Sequence, residues 1–163
     1  MRIHVQLLPF PPPPNVISDQ TVVVIDILRA TSVMVQAMSQ GAREILPVKT
    51  VEEAFQMVKR FPREVTVLGG ERESRKIEGF DFGNSPREYL GEKVRGKRLI
   101  LTTTNGTKAF HAVSSAKSVL VGSFLNISAA AERCLELNQD LFIYPSGDEG
   151  SFSLEDKIGR AHV

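Results

Sequence analysis

Six short runs of apolar, mostly β-branched residues recur along the chain, at 21–25, 44–47, 65–68, 98–102, 118–121 and 140–144. Their apolarity is continuous instead of alternating, V-V-V-I at 22–25 being the clearest case. A strand wetted on one face alternates polar and apolar residues. Continuous runs instead point to strands buried on both faces, the habit of parallel sheets covered by helices. The stretches between the runs supply those helices. Residues 32–40 stop at Gly41, a helix-ending residue, and Thr50 with Glu53 has capping-box spacing for a helix that ends before Pro62. Ser85, Pro86 and Glu88 repeat the box with proline at the first helical position, and segments 108–113 and 128–137 complete the set. Strand and helix alternate, so the expected architecture is α/β, three layers α/β/α around a largely parallel sheet. Residues 3–8 read as a further extended segment. They lead into Pro9, Phe10 and the prolines at 11–14, a stiff connector whose functional alternative is a polyproline ligand.

Composition narrows the partners. The 163 residues carry 20 Lys and Arg against 19 Asp and Glu, a net charge of +1. That balance gives no global field for gripping a nucleic acid or an anionic membrane, so an anion must be recognised locally. No apolar run approaches the ~20 residues needed to cross a bilayer. With a single cysteine, Cys134, and no signal-peptide core, the expected location is the cytoplasm.

Small polar residues follow the strands. Residues 21–25 lead to Asp26, Arg29, Thr31 and Ser32; 65–68 to Gly69, Gly70, Glu71 and Arg72; 98–102 to Thr103, Thr104, Asn105, Gly106 and Thr107. Residues 118–121 lead to Gly122, Ser123 and Asn126, and the last run to Ser146, Gly147, Asp148, Glu149 and Gly150. In a parallel sheet the carboxyl ends of the strands share one edge, where open α/β proteins place their ligands. Five clusters are therefore expected to converge. Gly, Ser, Thr and Asn before helices present N–H groups and hydroxyls suited to phosphate, and Arg29 and Arg72 add planar charged donors. Asp26, Glu71, Glu155 and Asp156 offer hard oxygens suited to Mg²⁺. Taken singly, each part has a plainer use: Thr31 or Ser32 can cap a helix, Asn105-Gly106 is a common turn, and Glu155 and Asp156 can be solvated charge.

Other motifs fail on inspection. Residues 91–97 spell G-x-x-x-x-G-K, but Arg98 replaces the required Ser or Thr and the segment precedes a strand. Asp26 lacks the second acid two residues on that an aspartyl-phosphate enzyme carries, because Leu28 stands there. Cys134 has Asp140 where a cysteine phosphatase needs its anion clamp, and is better explained as a small core residue. His4, His111 and His162 have no zinc-ligand spacing.

At these clusters the sequence resembles the 2-phosphosulfolactate phosphatase (ComB) family. The resemblance rests on V-V-V-I-D-I-L-R-A-T-S at 22–32, G-G-E-R-E at 69–73 and G-F-D-F-G-N-S-P-R-E at 79–88. It continues through T-T-N-G-T at 103–107, G-S-F-L-N at 122–126 and G-S-F-S-L-E-D at 150–156. It implies an α/β fold distinct from haloacid dehalogenase phosphatases and a Mg²⁺-dependent hydrolysis of 2-phospho-3-sulfolactate to 3-sulfolactate and phosphate. In methanogens that step belongs to coenzyme M biosynthesis. On the positions that match these signatures, Asp26, Arg29 and Glu71 are the candidates for catalysis. Thr31, Ser32, Arg72, Asn84, Asn105, Gly106, Thr107, Ser123 and Asn126 are the candidates for holding the substrate, and Asp26, Glu71 and Asp156 for Mg²⁺. Arg72 and Ser123 are the candidates for the sulfonate or carboxylate. The expected partner is a small phosphate ester, with self-association left open.

The chain departs from the family at its end. Family members continue past the E-D pair with a Cys-Ala-Gly-like signature, whereas this chain reads Lys157, Ile158, Gly159, Arg160, Ala161, His162, Val163. The expectation is one phosphatase-like domain over 1–157, incomplete at its C-terminus, and a non-native tail at 158–163 that resembles a translated sequencing adapter. A divergent natural terminus is the alternative. Two further readings stay open beside the enzyme: a non-catalytic module that binds a phosphometabolite, and an inactive fragment.

Overall fold

The computed structural model describes residues 1–148 and 150–154. Its strands are β1 (Ile3–Val5), β2 (Thr21–Ile25), β3 (Glu44–Pro47), β4 (Thr66–Arg72), β5 (Arg75–Lys76), β6 (Arg98–Thr102), β7 (Ser118–Gly122) and β8 (Leu141–Pro145). Its helices are α1 (Pro14–Ile17), α2 (Ala30–Ser39), α3 (Val51–Val58), α4 (Gly106–Ala112) and α5 (Ile127–Leu137). The α/β class and the parallel strands agree with the expectation from the apolar runs. The strands are nevertheless shared between two sheets, ordered β1-β8-β2-β7 and β3-β6-β4-β5, where one was expected. Every pairing is parallel except the short hairpin β4–β5.

Both sheets are covered on two faces, which is why their strands read as unbroken apolar runs. In the first sheet Val22, Val24, Phe142 and Tyr144 pack on Ile17 of α1, Ala109 of α4 and Val113 just beyond it. Val23, Ile25, Leu141 and Ile143 face the other way, onto Cys134 of α5. In the second sheet Leu68 and Ile100 pack on Ala54 of α3, while Val67, Leu99 and Leu101 pack on Val33, Met34 and Ala37 of α2. Each sheet is thus the middle of an α/β/α sandwich. Phe110 of α4 packs against the first sheet's core and also against the α2 core, which joins the two. Each fully buried aliphatic side chain contributes roughly 1.5–3 kcal/mol, so these cores fix the positions of the strand ends.

Local signals held where a side chain could complete them. Thr50 caps α3 by accepting from the Glu53 amide at 3.1 Å, and the Glu53 carboxylate accepts from the Lys49 amide at 2.8 Å. Gly41 follows α2 at φ +90°, the left-handed conformation its lack of a Cβ permits. At Ser85 the box does not form. Residues Pro86–Glu88 make one 3₁₀ turn with no side-chain cap, because the Glu88 carboxylate instead accepts from the Gly83 amide at 2.8 Å. The proline run does not stay a connector throughout, since Pro14 opens α1. Gly70, at φ +141°, is required by close approach: a Cβ there would sit 1.9 Å from the Thr102 carbonyl oxygen. No helix among the described residues is long and apolar enough to cross a membrane. The suspected tail at 158–163 lies outside the described residues.

Candidate active site

Two strand-to-helix turns are built by the same device. After β2, the Thr31 hydroxyl donates to the Asp26 carbonyl at 2.7 Å and accepts from the Asp26 amide at 3.0 Å. After β6, the Thr107 hydroxyl donates to the Thr103 carbonyl at 3.0 Å and accepts from the Thr103 amide at 3.1 Å. The Thr103 hydroxyl returns the favour, accepting from the Thr107 amide at 3.1 Å. All of these groups are buried, so one hydroxyl satisfies two main-chain groups that water cannot reach. Thr107→Val is expected to leave both Thr103 groups short of a partner and to cost about 1–3 kcal/mol, read as a lower urea midpoint.

These turns carry the polar residues to a cleft of about 300 Å³ where the two sheets meet at their carboxyl ends. From β2 come Asp26 and Arg29, from β4 Glu71, from β6 Thr103, Thr104 and Asn105, and from β8 Gly147 and Asp148. Asn84, Glu73, Ser74 and Ser153 close the rim. A larger groove of about 700 Å³ lies among α2, β3, β7 and α5, but its lining is nearly all apolar. It holds no acid, and its one hydroxyl, Ser39, donates to the Gln36 carbonyl of its own helix, so the smaller polar cleft is the candidate for chemistry.

Within the cleft, Glu71 is tightly held. Its carboxylate accepts from the Thr104 amide at 2.7 Å, the Thr104 hydroxyl at 3.1 Å and the Ser74 amide at 2.9 Å. That uses three of about four acceptor positions and ties the β4–β5 hairpin to the turn after β6. The Asn105 amide donates to Asp148 at 3.2 Å, joining the turn after β6 to the one after β8. Asp26 is 6% exposed and lies so close to Gly106 that a Cβ there would be 2.4 Å from its Oδ2. Arg29 lines the cleft half-buried, and its guanidinium has no ion pair or hydrogen bond among the described residues. The Oδ1 of Asn84 is buried in the same wall without a partner among the described residues.

Of the residues expected at a ligand, the structure brings Asp26, Arg29, Glu71, Asn84 and Asn105 into this lining. Gly106 sits directly behind Asp26. Thr31, Ser32 and Thr107 lie beneath the surface, the Ser32 hydroxyl being spent on the Ile27 carbonyl at 2.8 Å. Arg72 turns away, donating to the Glu71 carbonyl at 2.7 Å, the Thr102 hydroxyl at 2.8 Å and the Lys49 carbonyl at 3.1 Å. Ser123 and Asn126 form a capping box on the 3₁₀ turn Phe124–Asn126 ahead of α5; Ser123 stands against Ile25 and Ile27 and Asn126 lines the apolar groove, away from the cleft, β7 being an edge strand. Four of the five expected clusters therefore converge. Asp148, Thr103 and Thr104 were visible only as members of those clusters, with nothing in their spacing to single them out. Asp156 and Glu155 lie outside the described residues.

The donor set can be weighed against a divalent cation. Among the described residues no three His, Cys, Asp or Glu side chains gather closely enough to form a ready cluster. Mg²⁺, however, is ordinarily held by only one or two carboxylates plus water and substrate phosphate. Asp26, the remaining acceptor position of Glu71 and the unpartnered Asn84 oxygen are hard donors of that kind, and they fit it.

The profile of the 2-phosphosulpholactate phosphatase family matches residues 10–161. A Clostridium novyi protein described as a probable 2-phosphosulfolactate phosphatase is 49% identical over 147 residues, 90% of this chain and 62% of its own length. A Caldanaerobacter subterraneus protein of the same description is 51% identical over 140 residues, 86% of this chain and 58% of its own. A third, from Clostridium acetobutylicum, is 48% identical over 147 residues, again 90% and 62%. The chain thus spans about three fifths of the length of the relatives it matches. With the family profile matching residues 10–161, and relatives near half identical over about nine tenths of the sequence, the chain belongs to the 2-phosphosulpholactate phosphatase family.

Proposed function

We propose that the cleft at the meeting of the two sheets hydrolyses 2-phospho-3-sulfolactate to 3-sulfolactate and inorganic phosphate. The observation that carries this reading is Arg29, a half-buried guanidinium with no ion pair or hydrogen bond among the described residues, in the same cleft as Asp26. A cation held there is suited to an anionic ligand, and a planar guanidinium suits phosphate oxygens in particular.

Charge arithmetic makes a cation cofactor part of the proposal. Asp26, Glu71, Glu73 and Asp148 line the cleft with Arg29 as the one basic residue in its described lining. A carboxylate and a phosphate charge 4 Å apart repel by about 4 kcal/mol at an effective dielectric near 20, so one arginine does not offset these acids. Asp26 and Glu71, with Asp156 as the third acid of the sequence reading, would hold Mg²⁺, which when bound supplies the neutralisation of phosphate charge. Arg29 binds the phosphate oxygens and stabilises their developing charge. Glu71, fixed by Thr104 and Ser74, keeps the two turns of the cleft at constant separation. In the reaction a water oxygen bonds to phosphorus, the bond from phosphorus to the ester oxygen on C2 breaks, and one of the water's two protons passes to that leaving oxygen to give the hydroxyl of 3-sulfolactate while the other stays with the phosphate.

Phosphate release from the ester, with Mg²⁺ and with a chelator, tests the reading. Release with the metal and its loss on chelation are expected. No release under either condition from folded protein would overturn it. The second reading, a non-catalytic holder of a phosphometabolite, is favoured by the absence of a three-ligand cluster among the described residues. Binding of the ester without release would support it. A cytoplasmic location and a place in coenzyme M biosynthesis belong with the proposal.

A further inference from the structure

A ligand with both a phosphate and a sulfonate needs more than Arg29. A sulfonate is the anion of a strong acid and stays charged at any working pH, so its recognition calls for a permanent cation or an array of donors. The residues expected for that task, Arg72 and Ser123, are otherwise engaged, the first on carbonyls and a hydroxyl, the second in the cap of the 3₁₀ turn Phe124–Asn126. A second cavity of about 470 Å³ adjoins the polar cleft, with Thr104 and Asn105 lining both. Its far side is formed by Pro9, Pro11, Tyr144 and Ser146, and Lys108 of α4 stands in its wall. The Lys108 ammonium has no ion pair or hydrogen bond among the described residues, and it is the one basic residue in that cavity's described lining.

We propose that this second cavity is the sulfonate subsite, with Lys108 the residue that selects a sulfonated phosphate ester over a plain one; this rests on the function proposed above. The chemistry of the wall agrees. The Tyr144 hydroxyl donates to the Pro9 carbonyl at 2.9 Å, which anchors the proline segment over the cavity. Burial pushes that phenol up to about 12, so it adds no negative charge near an anion at neutral pH. Asn105 stands between the cavities, so a ligand spanning them would lie across its side chain with the phosphate on the Arg29 side and the sulfonate on the Lys108 side. A lysine ammonium is a compact charge without the flat fork of arginine, suited to a tetrahedral group approached from one side.

The test compares 2-phospho-3-sulfolactate with 2-phospholactate, the same ester without the sulfonate, and reads the ratio of their kcat/KM values. Lys108→Ala is expected to lower that ratio by about 10- to 100-fold, chiefly through a higher KM for the sulfonated ester, the loss of one charge-assisted contact. Lys108→Arg should restore part of it. A merely structural lysine would slow both esters alike, and an unchanged ratio in Lys108→Ala would overturn the inference while leaving the phosphatase reading intact. If the chain turns over neither ester, calorimetry with 3-sulfolactate and lactate decides. Weaker 3-sulfolactate binding in Lys108→Ala supports the subsite, equal binding in variant and wild type overturns it, and no binding by wild-type protein overturns both readings.

Discussion

Asp26→Asn is expected to lower phosphate release from 2-phospho-3-sulfolactate by at least about 10³-fold, with the fold intact. Electrostatic assistance at a transferring phosphoryl group supplies several kcal/mol, and each 1.36 kcal/mol is about tenfold in rate. The substitution is nearly isosteric. The main chain of residue 26 is held from both its amide and its carbonyl by Thr31, so the asparagine stays where the aspartate was. What is lost is one negative charge in a site 6% exposed to water, where solvent does little to screen it. Circular dichroism and the urea midpoint should match wild type while kcat falls. Normal turnover in the variant would remove Asp26 from the mechanism.

Gly106→Ala is expected to cost about 100-fold in kcat/KM without removing any ionisable group. A methyl there would stand 2.4 Å from Asp26 Oδ2 and 2.4 Å from the Ala30 Cβ. Neither contact is tolerable, so the Asp26 carboxylate, α2 or α4 must shift. The backbone at Gly106 does not need glycine, since its φ is not positive, and alanine is the better helix former by nearly 1 kcal/mol. Overpacking costs about 1–3 kcal/mol, so the variant should fold with a modestly lowered midpoint. Displacing a reacting group by about 1 Å is worth about 100-fold in rate, which sets the expected loss. Wild-type kinetics in Gly106→Ala would mean that the position of the Asp26 carboxylate is not critical.

The parts of this molecule legible in the sequence are those whose signal is local and completed locally. The run at 22–25 announces a strand buried on both faces, and Thr50 with Glu53 announces a capped helix; both hold. Partner choice between strands is not local, and nothing in the runs at 21–25 and 44–47 says that β2 and β3 enter different sheets. The β4–β5 hairpin was invisible for a related reason. Its two-residue turn has Glu73 and Ser74 at φ +51° and +61°, conformations ordinarily announced by Asn-Gly, and it is held by the Ser74 amide donating to Glu71. Side-chain direction was the other gap. In the sequence Arg72 and Arg29 both follow apolar runs and look equivalent as donors, yet main-chain carbonyls take up Arg72 while the Arg29 guanidinium meets none among the described residues. Ser123 likewise has the composition of a ligand residue and the geometry of a cap.

The central claim is that this cleft breaks a phosphate ester instead of merely holding it. Phosphorus NMR of 2-phospho-3-sulfolactate incubated with the purified chain and Mg²⁺ tests that claim most directly, because bound ester, free ester and inorganic phosphate give separate signals. The account predicts that the ester resonance disappears as inorganic phosphate grows, and that Asp26→Asn leaves the ester unchanged over the same time. An ester resonance that broadens on adding wild-type protein, with no inorganic phosphate formed, would contradict it.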